Sequence, residues 1–412
     1  MQPNTIFVGI DVGRYFHAFC AVDHQGQVVW QRKRIGNTTA AISRTLQQLR
    51  RFAGDHPLCF ATEEASGNAA ALVRLLCGDH ESILLAQPLR VHRFHLALGQ
   101  PHKSDPYDAE VIAQFARQNH PRLPRVRPGT PDIQALRVLS RRLDAISKDL
   151  RRCLNRLRAT LAEYAPEWLV CAVFKDWSTE AALGTLERYA RLSKLQRTPV
   201  GRLANALHRW TRGRWGSHEA RTLLDALAQL RLPLVLEDAY VEAILSLVRQ
   251  IRTLLAEKAR LLQLIQEQGE RVPTFLAVKD EFGYGPETAA TIASEVGDMA
   301  DFASEPQFAT YSGVTPLKRR SGISQGSSHL SRFTNKRLLR AIFQATVSTV
   351  RRDERSQTYY HKKLSGKTDP RSKTRALLSL SRHRVRRLYK VLRAASDLTS
   401  AHSPQMAPHP TP

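Results

Sequence analysis

Two long apolar seams constrain the fold more than any other feature of this sequence. Leu136, Leu139, Leu143, Ile146, Leu150, Cys153 and Leu157 follow one another in alternating steps of three and four. Val241, Ile244, Val248, Ile251, Leu255, Leu262 and Ile265 do much the same. That spacing keeps the apolar side chains on one stripe of an α-helix. Stripes of such length are buried only against elements of similar length. The two helices are therefore expected either to form an antiparallel coiled-coil arm, within the chain or between chains, or to pack as ordinary long helices on a bundle. Lys258 falls on the second seam and weakens a continuous coiled coil.

The residues before the first seam follow another period. Ile6 to Val12 is a β-branched run, and Phe19 to Val22 and Gln27 to Gln31 flank Asp23-His24-Gln25-Gly26, a hairpin turn. Leu58 to Thr62 and Ser82 to Ala86 read as further strands, and Thr38 to Phe52, Ala69 to Cys77 and Tyr107 to Arg117 as helices. This order predicts a mixed α/β sheet that opens with an antiparallel meander. His120 to Pro131, with prolines at 121, 124, 128 and 131, reads as a linker. Residues 166–235 hold Trp168, Trp177, Trp210 and Trp215, enough large aromatics for a packed helical subdomain. From Val272 the pattern is helical again, and Thr399 to Pro412, rich in Pro and His, is expected to be disordered. The expected partition is 1–120, 121–271, 272–398 and a tail 399–412.

Charge narrows the function. Lys and Arg number 62 against 37 Asp and Glu, a formal net charge of +25. Such an excess calls for a polyanionic partner, nucleic acid before an anionic membrane. No apolar run approaches the roughly 20 residues of a spanning helix, and Met1 to Gly9 does not resemble a secretory signal. Five scattered cysteines without a C-x-x-C pair read as reduced thiols of a cytoplasmic protein.

Acidic residues stand out in the first 120 positions. Asp11 ends the first strand, and a carboxylate there is costly to bury unless it is paired or binds metal. Glu63 and Glu64 end the fourth strand; neighbours on a strand face opposite ways, so one of them can join Asp11. Asp105 and Asp108 share a face at a helix start, although Asp105 before Pro106 is equally an ordinary N-cap. Carboxylate oxygens suit Mg²⁺ or Mn²⁺, and paired ions can clamp both oxygens of a phosphodiester under displacement. His92, His95 and His102 offer no better metal site.

A second centre lies in the last third. Gly283 and Gly285 free the backbone before Pro286 opens a helix, as in a hairpin whose N–H groups bind phosphate or in a plain packing corner. Ser321 follows Lys318, Arg319 and Arg320 and precedes Gly322; a serine becomes a nucleophile only beside a base, a metal or concentrated positive charge. Arg332, Lys336, Arg337 and Arg340 fall near one helix face, and Lys318 to Arg393 holds only three acids, Asp353, Glu354 and Asp369. Such segments neutralise phosphates.

Together these residues resemble the DEDD transposases of bacterial insertion sequences, the bridge-RNA-guided recombinases. The matches are Gly9-Ile10-Asp11-Val12, Glu64-Ala65-Ser66-Gly67, Lys103-Ser104-Asp105-Pro106-Tyr107-Asp108-Ala109, Gly283-Tyr284-Gly285 through Thr288-Ala289, Glu295-Val296-Gly297-Asp298, Phe302, Tyr311-Ser312-Gly313 and Ser321-Gly322. The resemblance implies an N-terminal domain of the RNase H class, Ruv-C-like, and a C-terminal transposase domain; together with the seams and the tryptophans, the expected fold is an α/β N-terminal domain, a helical coiled-coil arm with a helical insertion, and a mainly α C-terminal domain. It maps four metal-binding acids onto Asp11, Glu64, Asp105 and Asp108, and a nucleophilic serine onto Ser321. It implies donor and target DNA, a structured guide RNA, and a homodimer or homotetramer near the nucleoid. The family usually has a proline where this chain has Phe282. A nuclease or junction resolvase working through the acids alone, or a catalytically inactive nucleic-acid-binding relative, would carry much of the same pattern.

Overall fold

The computed structural model of the chain describes residues 4–79, 81–98, 105–126, 129–230, 236–318, 328–330 and 334–402. The chain divides into two compact units, residues 1–130 and 131–412.

The first unit is built on five strands, β1 (Ile6–Val12), β2 (Phe16–Val22), β3 (Val28–Gly36), β4 (Leu58–Thr62) and β5 (Ser82–Leu85). Helices α1 (Thr39–Ala53), α2 (Ala70–Gly78), α3 (Pro88–Ala97) and α4 (Asp105–Asn119) complete it. The sheet order is β3-β2-β1-β4-β5. β1, β2 and β3 form an antiparallel meander, while β4 runs parallel to β1 and β5 parallel to β4. Period-two alternation divides the apolar residues between two faces. Val8, Ile10, Phe19, Ala21 and Phe60 pack under α1 and α2. Phe7, Ala18, Cys20, Cys59 and Ala61 pack under α3 and α4. The Asp23–Gly26 turn forms as expected: Asp23 Oδ1 accepts from the N–H groups of Gln25 and Gln27 at 2.9 and 2.8 Å. The proline-rich stretch is more than a connector, because Leu85 N donates to Pro124 O at 2.8 Å and Val126 N to Ile83 O at 2.8 Å. All five cysteines are free thiols.

In the second unit α5 (Pro131–Tyr164) leads to short helices α6 (Glu167–Val170), α7 (Glu180–Tyr189), α8 (Leu192–Gln196), α9 (Val200–Trp210) and α10 (Ser217–Ala228), and the chain returns through α11 (Glu237–Gly269). There follow α12 (Pro273–Lys279), α13 (Pro286–Val296), α14 (Glu305–Tyr311), a hairpin of β6 (Pro316–Lys318) and β7 (Ser328–Leu330), α15 (Lys336–Val350), α16 (Glu354–Leu364) and α17 (Pro370–His402). The two long helices pack on each other antiparallel. Gln268 reaches Asp132, Gln250 meets Cys153, and Glu237 accepts from the hydroxyl of Tyr164, so partners descend along α11 as α5 ascends.

The pair is shared by two cores. Leu150 to Leu161 and Val241 to Ile251 join the tryptophan-rich helices, with Trp168 fully buried and Trp177 beside Phe174. Leu136 to Ile146, Leu261 and Ile265 join α12 to α15 and α17. The last third is mainly helical as expected, with β6 and β7 paired within it. One expectation changes. Thr399 to His402, expected to be disordered, continue α17, and residues 403–412 lie outside the described residues. Among the described residues no helix is long and apolar enough to cross a membrane.

Candidate active site

The way α4 crosses the sheet sets the candidate acids of the first unit toward one edge of it. Gly9 sits under α4 so closely that a Cβ there would lie 2.1 Å from Ala109 O and 2.4 Å from Ala113 N. Further along, the rings of Phe7 and His120 are 5.3 Å apart. The helix therefore runs antiparallel to β1, and its first turn, Asp105 to Asp108, lies toward the end of the strand that carries Asp11. On β4, Thr62 is level with Ile10 in the parallel register, so Glu63 and Glu64 emerge at the same edge. Carboxyl ends of neighbouring parallel strands are where open α/β sheets place their ligands.

Asp11 is opposite Ala18 and faces α4. Alternation after Cys59 and Ala61 would turn Glu63 to that face also, but the chain leaves the strand at Thr62. Thr62 Oγ1 accepts from Glu64 N at 3.3 Å and donates to Glu64 O at 3.1 Å. The Glu64 carboxylate then lies over Gly67, whose φ of +63° suits glycine; a Cβ there would stand 2.4 Å from Glu64 Oε1. Asp108 is half-buried, and its charge adds to burial and Glu110 in pushing the Tyr107 hydroxyl up. Asp105 begins α4, and its side chain lies outside the described residues. Among the described residues no three acid, His or Cys side chains form a group that could hold a metal ion. The donor chemistry fits a hard divalent cation, because the candidates are all carboxylates. The ring of His95 is committed edge-on to Tyr107, 5.2 Å between centroids. His102 lies outside the described residues.

In the second unit the glycine hairpin joins α12 to α13. Gly283 has φ +87°, and a Cβ on it would be 2.2 Å from Thr349 Oγ1. Tyr284 is buried beneath the Arg384 guanidinium, 4.5 Å from its ring, and Arg384 also donates to Phe282 O at 2.5 Å. Phe282 is left 54% exposed. Gly283, Gly285, Arg337 and Arg340 line one cleft of about 1250 Å³, together with Arg151 and Arg158, which the sequence does not single out, and Lys258, which it marks only as a break in the second seam. The cleft is not uniformly basic. Arg340 pairs with Asp144, Arg337 Nη1 stands 3.5 Å from Glu295, and Lys258 is 3.8 Å from Glu287. Lys336 is exposed at the start of α15.

The hairpin of β6 and β7 has a clamped base. Asn335 N donates to Tyr311 O at 2.9 Å, and Asn335 Nδ2 reaches Tyr311 Oη at 3.0 Å and Glu295 Oε2 at 3.1 Å. Arg141 Nε donates to Glu295 Oε1 at 3.0 Å, and Tyr311 Oη donates to Glu295 O at 3.2 Å. Burial pushes the Glu295 carboxyl up, but the hydrogen bonds from Arg141 and Asn335 outweigh it and hold the group below its ordinary value. Motif residues Glu295 and Tyr311 thus serve packing. Lys318 ends β6, with its side chain outside the described residues. Arg319, Arg320, Ser321 and Arg332 lie outside the described residues altogether.

With this geometry in place, the similarities to known proteins become informative. The IS110 DEDD family model, described as a transposase, matches residues 8–166. A second, described as "Transposase IS116/IS110/IS902 family", matches residues 277–361. The chain is 27% identical to the insertion element IS900 uncharacterized 42 kDa protein of Mycobacterium paratuberculosis, over 95% of this chain and 96% of that one. It is 28% identical to the insertion element IS116 uncharacterized 44.8 kDa protein of Streptomyces clavuligerus, over 97% and 98%. It is 23% identical, over 83% of each chain, to the transposase for insertion sequence element IS1328 of Yersinia enterocolitica.

Proposed function

The chain belongs to the IS116/IS110/IS902 family of transposases, and on that premise we propose that it cuts and rejoins DNA by transesterification through a serine. The observation that supports the reading is that Asp11, Glu64 and the first turn of α4 all lie toward the carboxyl ends of β1 and β4, at one edge of the sheet. The sheet order β3-β2-β1-β4-β5, a meander followed by parallel strands, supports an RNase H-class, Ruv-C-like first domain.

Asp11, Glu64, Asp105 and Asp108 would hold Mg²⁺ or Mn²⁺. Divalent ions there supply stabilisation of charge on the phosphoryl oxygens and on the departing oxygen. Ser321 Oγ, surrounded in sequence by Lys318, Arg319 and Arg320, attacks the phosphorus of a phosphodiester. A serine–phosphate bond forms, the bond to the 3′-oxygen breaks, and the proton lost by the serine is balanced by the one the 3′-hydroxyl gains. Attack of another strand's 3′-hydroxyl reverses these bond changes and reseals the backbone. The phosphodiester energy is kept in the covalent link, so strand transfer needs no nucleotide hydrolysis. Gly283, Gly285, Lys336, Arg337, Arg340 and Arg332 would contact nucleic-acid backbone, and donor and target DNA would be selected through a structured guide RNA bound to a homodimer or homotetramer.

The test is capture of a protein–DNA adduct on a denaturing gel with the wild type, Ser321→Ala and Asp11→Ala. An adduct with the wild type alone is expected. Cleavage by Ser321→Ala, with no adduct in the wild type, would instead establish a nuclease that uses only the acids.

A further inference from the structure

We propose that Phe16 and Arg34, with Tyr15 and Arg14, form a nucleobase-stacking site on the Asp11 side of the sheet that grips the DNA strand next to the reacting phosphate. The inference rests on the proposed action of those acids on DNA, and adds a binding site to it.

The geometry follows from the register of β1 and β2. Asp11 pairs with Ala18, which is buried on the α4 face of the sheet. Phe16 lies two residues before Ala18 on the same strand, so alternation turns it to that face. Adjacent strands are about 4.8 Å apart and two residues span roughly 7 Å, which puts Phe16 within about 10 Å of Asp11. Asp11 and Phe16 therefore sit on one face of one sheet, the acid inside and the ring at the rim.

The ring is both exposed and held. Phe16 is 46% exposed and Tyr15 is 68% exposed. The Arg34 guanidinium lies over the Phe16 ring at 4.8 Å, and that of Arg14 over Tyr15 at 5.3 Å. Arg34 has a positive φ of +55°, in a stretch where the β2–β3 register slips between His17 and Phe19. The turn itself is fixed. Gly13 N donates to Phe16 O at 3.0 Å, and Asn37 N donates to Tyr15 O at 2.9 Å. Asn37 Nδ2 reaches Arg14 O at 3.2 Å and Asn68 O at 3.3 Å. Asn68 follows Gly67, over which the Glu64 carboxylate lies. One amide side chain thus ties the aromatic turn to the loop of the candidate metal-binding Glu64.

Exposed aromatic rings backed by guanidinium groups are what an unpaired or unstacked base binds: the ring supplies a face and the cation neutralises a flanking phosphate. A protein that opens a phosphodiester near Asp11 must hold the flanking nucleotide, and this turn is placed to do so.

The test is binding of the full-length protein to single-stranded DNA carrying 2-aminopurine, without divalent cations so that no chemistry runs. Stacking should quench the probe, and Phe16→Ala should relieve the quench and weaken binding roughly 5- to 150-fold. The slope of log affinity against log salt should not change, because no phosphate contact is removed. Phe16→Trp should restore binding, while Phe16→Leu, apolar but without a ring, should not. Phe16 is half-exposed, so these variants should fold, and circular dichroism checks that they do. Affinity of Phe16→Ala within about twofold of wild type, or a changed salt slope, overturns the stacking site. Tighter, Phe16-dependent binding of the matching RNA overturns the assignment to DNA. Because binding is read without cleavage, an inactive protein would refute the proposed reaction and leave this result standing.

Discussion

Gly9→Ala tests the joint on which the proposed acid site depends. The added Cβ would lie 2.1 Å from Ala109 O and 2.4 Å from Ala113 N, where ordinary contacts begin near 3.4 Å. Both obstacles are helix backbone, so no side chain can rotate away. α4 must retreat by roughly 1 Å, or β1 must bend by as much. Overpacking of this kind costs about 1–3 kcal/mol, which would lower the melting temperature of the first unit by roughly 5–10 °C. The functional effect should be larger. Asp11 is two residues from Gly9 on the strand, and Asp108 adjoins Ala109 on the helix, so the same displacement separates the two acids. Misplacement of reacting groups by about 1 Å costs on the order of 100-fold in rate. The assay pairs thermal melting with metal-dependent DNA cleavage measured well below the melting temperature. Cleavage within about threefold of wild type in a folded variant would refute the claim that α4 positions the acids.

Three further outcomes follow from other contacts. Glu295→Ala should destabilise the second unit by about 2 kcal/mol at pH 7, a charge-assisted network discounted because Arg141 and Arg337 are each over a third exposed. Since the folded Glu295 carboxyl lies below its ordinary value, its contribution is complete above its unfolded pKa of about 4.3 and is lost as pH falls through the lower folded value. Urea midpoints of wild type and variant should therefore differ at pH 7 and converge in strong acid. Gly283→Ala, at φ +87° and against Thr349 Oγ1, should cost about 2 kcal/mol, whereas Gly285→Ala, with nothing within 4 Å of the new Cβ, should cost under about 0.5 kcal/mol; paired melts decide this. Burial pushes the thiols of Cys20 and Cys59 up to about 12. A maleimide should thus label the less buried Cys77 and Cys171 first in the native protein, as read by peptide mass spectrometry.

Several parts of this picture were legible because their signals are local. Short apolar runs marked β1, β4 and β5, and Asp23 to Gly26 marked the turn between β2 and β3. The long seams marked α5 and α11, because a helix writes its buried face into sequence every three or four residues. Other features needed partners far along the chain. Arg337 and Arg340 read as a basic face, yet Glu295 and Asp144, forty or more positions away, neutralise them in part. The strands β6 and β7 are three residues each, too short to write a period. Phe16 and Tyr15 carry no signal of their own in the sequence, because an exposed aromatic acquires meaning only from what lies beside it.

The sequence by itself determined the chemistry available: a cationic chain, carboxylates at the ends of strands and at a helix start, and two amphipathic helices long enough to need each other. Tertiary structure decided where those groups lie. The close approach of α4 over Gly9 points the first turn of the helix toward the end of β1 that carries Asp11, and the chain's exit at Thr62 sets Glu64 over Gly67. The reason is physical: hydrophobic periodicity is fixed by the residue's own neighbours, whereas the register of strands and the depth at which a helix packs are fixed by side-chain volumes contributed from the whole unit.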